Sequence, residues 1–128
     1  MIAFLHHLGL VLLGGVFIWA GAEHFLRFRA VTASLAERGF PAPRPLLAAG
    51  SVLEIAGGFC LAAGLGGPFP AATLAVFTIA ASFMALNFWR YSGDEREALR
   101  TGFTINVAVL GGLIVAATTR AFHVLMEA

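Results

Sequence analysis

The chain has 128 residues, 59% of them hydrophobic and only 12% charged, with a formal net charge of +1. Soluble domains carry about 25% charged residues, so this composition excludes an ordinary water-soluble globule, and its near-neutral charge offers nucleic acid no concentrated basic patch. One cysteine, Cys60, excludes an internal disulfide, a CxxC redox pair and a thiolate zinc site.

A membrane-spanning helix needs about 20 mostly apolar residues, and four segments supply them. The first runs from Leu5 to Phe28 and the second from Leu46 to Leu65, after the proline-rich stretch Pro41-Ala42-Pro43-Arg44-Pro45. The first lacks a basic leader region and a small-residue cleavage site, so it is expected to be a retained span rather than a signal peptide. Between them, Arg29 to Arg38 is expected to form a short interfacial helix that Gly39 stops. Gly64-Leu65-Gly66-Gly67-Pro68 then makes a tight turn. The third span covers Phe69 to Arg90 and the fourth Thr101 to Thr119, the last helix being able to begin earlier, near Ser92 or Asp94. These apolar runs are too long and unbroken for barrel strands. The fold class is therefore all-α: a four-transmembrane-helix bundle, polytopic, in a single domain over residues 1–128.

All eight basic residues are arginines. The first loop holds Arg27, Arg29, Arg38 and Arg44, the third holds Arg90, Arg96 and Arg100, and only Arg120 lies near a terminus. The positive-inside rule places loops one and three in the cytoplasm and both termini outside.

In lipid, helices associate through close packing and hydrogen bonds. Small residues at four-residue spacing supply interior rows: Gly50, Gly58, Ala62 and Gly66 around Glu54 in the second span, and Thr104, Ala108, Gly112 and Ala116 in the fourth. Thr78, Ala81, Ser82 and Ala85 do the same in the third.

The strongest hydrogen-bonding groups fall in the half of each span near the arginine-rich loops: Glu23 and His24, Glu54, Asn87 and Asn106. An intramembrane carboxyl is costly and faces a bundle interior. Two readings of these residues stand side by side. They line a polar pocket that hydrogen-bonds a quinone head group or relays protons, or they clasp four helices in register. Trp19 and Trp89 are pocket-wall candidates, with an aromatic belt as the alternative. His6-His7 is read as an interfacial anchor, no metal site is expected, and Cys60 is read as a small core residue. No phosphate-binding glycine loop, hydrolase triad or haem-ligand pair is present in the sequence.

Phe17-Ile18-Trp19-Ala20-Gly21-Ala22-Glu23-His24-Phe25, then Arg38-Gly39-Phe40-Pro41-Ala42-Pro43, then Leu53-Glu54-Ile55-Ala56-Gly57-Gly58 resemble the DoxX family of small bacterial membrane proteins. Asn87-Phe88-Trp89 and Asn106 before Gly111-Gly112 continue the likeness in order, with Asn87 standing where the family often has histidine. The resemblance implies a four-helix bundle in the bacterial inner membrane and a link to redox physiology. Relatives include the small subunit of an archaeal thiosulfate:quinone oxidoreductase and membrane partners of oxidative-stress enzymes.

The leading expectation is an accessory or anchoring subunit of a redox complex that holds a quinone. The sequence has no evident site for a metal, flavin or haem, so an enzymatic role would be that of an oxidoreductase subunit. A quinone-reactive catalytic subunit and a small-molecule or lipid transporter are the alternatives. Expected partners are membrane lipids and a protein of a redox complex or further copies of the chain, with no nucleic acid.

Overall fold

The computed structural model describes residues 1–127, all in helices and short connections. The helices are α1 (Ile2–Leu26), α2 (Phe28–Glu37), α3 (Pro43–Ala63), α4 (Phe69–Ala85), the single 3-10 turn α5 (Phe88–Arg90) and α6 (Gly93–Glu127). Four stretches are long and apolar enough to cross a membrane: Ile2–Leu26, Pro43–Ala63, Phe69–Arg90 and Gly93–Glu127. The expected all-α architecture with four candidate spans is what the structure has. Its exposed surface is rich in large apolar side chains, among them Phe4, Val52, Phe59, Val76, Phe83 and Ile105. Lipid solvates such a surface and water does not.

The chain packs as two compact units, one over Met1–Leu65 and one from Gly66 onward. In the first, α1 and α3 run antiparallel, since Gly14 meets Gly58 while Gly21 meets Ser51. The buried residues of α1 are Leu10, Gly14, Phe17 and Gly21, and those of α3 are Leu47, Ser51, Glu54, Gly58 and Leu61. Both sets alternate steps of four and three, the spacing that keeps a seam on one side of a helix. A strict four-residue row drifts by about 40° per step. The expected row through Glu54 and Gly58 therefore keeps those two residues in the seam while Gly50 and Ala62 slide to half-buried flanks.

The short helix expected between the first two spans is present as α2. Phe28, Val31, Thr32 and Leu35 lie on its inward side, with Arg29, Ala33, Ala36 and Glu37 exposed. Gly39 ends it with a φ of +85°, a left-handed conformation that costs glycine little. Gly64, at φ +74°, closes α3 in the same way, and the following Leu65 N–H donates to the Cys60 carbonyl.

In the second unit, α4 packs on α6 through buried Ala71, Leu74, Thr78 and Ser82 on one side and Leu113 and Ala116 on the other. The row expected on the last helix is displaced: Thr104 and Ala108 are exposed, and only Ala116 is buried. The less exposed face runs instead through Gly102, Asn106, Val109, Leu113 and Ala116, again in steps of four and three.

The third span ends at Arg90 as expected, but its last residues are not α-helical. The α-helix of the third span stops at Ala85, and Phe88–Arg90 forms a 3-10 turn. There the rings of Phe83, Phe88, Trp89 and Phe103 cluster in edge-to-face and tilted contacts at centroid separations of 5.4–6.1 Å. These ring contacts, worth about 0.5–1.5 kcal/mol each beyond area burial, compete with one more helical turn. The last helix starts at Gly93, the early start that Ser92 and Asp94 allowed, and runs past the expected Thr119 to Glu127. Asp94 and Glu95 in its first turn suit the positive end of the helix dipole. Its 35 residues span roughly 52 Å at 1.5 Å per residue, more than a hydrocarbon core of about 30 Å.

Candidate functional site

Glu54 sits in the middle of α3, on the seam that faces α1, and is 5% exposed. It lies about 16 Å along the axis from the start of α3 at Pro43. Burial of a carboxyl without a partner would be costly. Its partner comes from the last turn of α1: His24 Nδ1 lies 3.0 Å from Glu54 Oε1. The two share one hydrogen bond, whichever of them supplies the proton. The pair is lopsided in solvation, the Glu54 side chain being 6% exposed and that of His24 36%. The imidazole thus connects a sheltered acid to the surroundings of the helix pair.

One turn before Glu54, Ser51 is fully buried and its Oγ has no hydrogen-bond partner among the described residues. Its backbone carbonyl is pressed against Gly21, where an added Cβ would stand 2.7 Å from the oxygen. Buried hydroxyls are normally satisfied, so an orphan hydroxyl beside a buried acid marks spare hydrogen-bonding capacity. Ser51 was not a sequence candidate. The signal that could have found it is its spacing, three residues before Glu54 on a helix seam.

Each sequence candidate has its own setting within its unit. Glu23 and His24 are adjacent but diverge by about 100° around the helix. His24 turns inward to Glu54, whereas Glu23 faces out toward Arg27 across 3.9 Å at i,i+4 spacing. Trp19 is 71% exposed on the outside of α1. Within the second unit, Asn106 Nδ2 donates to Ser82 Oγ at 3.1 Å, and that hydroxyl donates to the Thr78 carbonyl at 2.6 Å. Thr78 Oγ1 is buried and unpartnered among the described residues. Asn87 precedes the 3-10 turn, and Trp89 belongs to the aromatic cluster, where Arg96 lies 6.0 Å from the Phe88 ring centroid. Among the described residues, no three His, Cys, Asp or Glu side chains converge as metal ligands would.

The DoxX family model matches residues 7–87, more than half of the chain. The chain belongs to the DoxX family. The matched part of this DoxX protein contains most of α1 and all of α2, α3 and α4, and so both partners of the His24–Glu54 pair. Asn106 and the rest of α6 lie beyond the match. No curated protein and no solved structure matches this DoxX chain. Family membership and four apolar helices together make it a multi-pass membrane protein.

Proposed function

We propose that this protein is a small accessory subunit of a redox complex in the bacterial inner membrane, and that the His24–Glu54 pair receives the head group of a quinone. The observation that carries this reading is a buried carboxyl hydrogen-bonded to a partly exposed imidazole, with the unsatisfied Ser51 hydroxyl one turn away. A quinone carbonyl accepts hydrogen bonds and a quinol hydroxyl donates them, so a site for both forms needs groups able to reverse roles. Imidazole, carboxyl and hydroxyl each do so.

The arginine-rich loops holding Arg27–Arg44 and Arg90–Arg100 support a cytoplasmic side for both, and with it a site at His24, near the end of α1, in the cytoplasmic half of the membrane. The chain's own role is to bind and orient. The electron-carrying group belongs to a partner subunit, because quinone redox chemistry needs a donor or acceptor.

Mild solubilisation followed by affinity purification tests this reading. The expected result is co-purification of a larger redox subunit together with bound quinone extractable in organic solvent. Recovery of the chain alone, free of quinone, contradicts it.

A further inference from the structure

The loop side of the first unit carries a second site, unrelated to the quinone reading. An open groove of about 550 Å³ lies between α2 and the start of α3. Arg29 on α2 and Arg44 in the first turn of α3 line it, with Thr32, Ala33, Ala36 and Pro43 forming most of the remaining wall. Its surface is mainly apolar, and the Thr32 hydroxyl is already committed to the Phe28 and Arg29 carbonyls at 2.7 and 3.0 Å. The groove's free polar chemistry is therefore cationic. Neither Arg29 nor Arg44 has an ion-pair partner among the described residues, and both are exposed.

We infer that this groove binds the phosphate of an anionic phospholipid between Arg29 and Arg44, with the glycerol backbone and upper acyl chain against Ala33, Ala36 and Pro43. Guanidinium groups take phosphate oxygens in a fork geometry. A free phosphate would leave the apolar wall uncovered, and a zwitterionic lipid would bring its own cation toward two arginines. The position fits as well: α2 is amphipathic and joins two candidate spans at one end, the kind of segment whose basic side chains meet lipid headgroups.

Native mass spectrometry of the full chain released from detergent tests this, with phosphatidylglycerol and phosphatidylcholine of identical acyl chains offered at equal concentration. The wild-type chain is expected to retain phosphatidylglycerol in preference. The R29Q/R44Q pair is expected to lose that retention by about tenfold or more, while R90Q/R100Q in the other unit leaves it unchanged. Ala36→Phe, which fills the groove and keeps both charges, is expected to lower retention too. The inference is overturned if both lipids are retained equally, if the two arginine pairs lose lipid alike, if Ala36→Phe is without effect, or if inorganic phosphate at the same concentration displaces the lipid.

Discussion

Gly14 and Gly58 meet backbone to backbone where α1 crosses α3. A Cβ added to Gly58 would stand 2.5 Å from the Gly14 carbonyl oxygen, and one added to Gly14 would collide with the carbonyl of Gly58. The obstacle in each case is main chain, which cannot rotate away. This contact fixes how closely the two helices lie, and with it whether His24 can reach Glu54.

Gly58→Ala is expected to destabilise the first unit by about 1–3 kcal/mol. A Cβ at Gly15 meets nothing within 4 Å, so Gly15→Ala is expected to be neutral or slightly stabilising through helix propensity. Thermal unfolding of the two variants in the same detergent checks the contrast.

The unequal burial of His24 and Glu54 predicts unequal costs. Removing the imidazole with His24→Leu leaves a buried acid without its partner, at about 1–3 kcal/mol. Removing the acid with Glu54→Leu leaves a partly exposed imidazole that can turn to other partners, so its cost is expected to be smaller. Denaturation of both variants beside wild type reads the order, and equal costs would mean that the pair is no more sheltered on one side than on the other.

Ser82 links two hydrogen bonds, whereas Asn106 makes one of them. Ser82→Ala strands the Asn106 amide and is expected to cost about 1 kcal/mol, near the middle of the range for interhelical hydrogen bonds in membranes. Asn106→Leu leaves the serine bonded to its own helix and is expected to cost less. Unfolding in detergent, followed by Trp89 fluorescence in a Trp19→Phe background, reports on this unit.

Ala42, just before Pro43 at the start of α3, has φ +48° and ψ +58°. Left-handed backbone costs a residue with a Cβ about 1–2 kcal/mol. Part of any gain from glycine is offset by its freer unfolded chain. Ala42→Gly is expected to stabilise by about 0.5–1 kcal/mol, and Ala42→Val, with a branched Cβ, to destabilise. Melting temperatures of the pair should move in opposite directions.

Composition and arginine placement made the four spans, the α2 segment and the Gly39 stop legible, because each rests on a local property of the chain. The sequence also marked Glu54 and Gly58 as interior, since an acid flanked by small residues has few other uses in lipid. It did not reveal which neighbour Glu54 meets. His24 and Glu54 are 30 positions apart, and their meeting depends on the antiparallel register that Gly14, Gly21 and Gly58 set together. The displaced face of α6 has a similar origin. Thr104, Ala108, Gly112 and Ala116 form a row by composition, but helix pairing follows the alternation of four and three, which selects Asn106 and Leu113 instead. The stop at Ala85 depends on ring packing with Phe103, which no window around residue 85 contains.

The quinone site is tested most directly by the melting temperature of the purified wild-type chain and of Glu54→Gln, each with and without a short-chain ubiquinone analogue. Glutamine keeps the shape and a hydrogen bond to His24, but its amide cannot exchange a proton as the carboxyl does. The account predicts that the analogue raises the melting temperature of the wild type, and that Glu54→Gln, folded without ligand, loses most of that shift. An equal shift in both, or no shift in the wild type, would contradict it and leave the His24–Glu54 bond as a clasp between two helices.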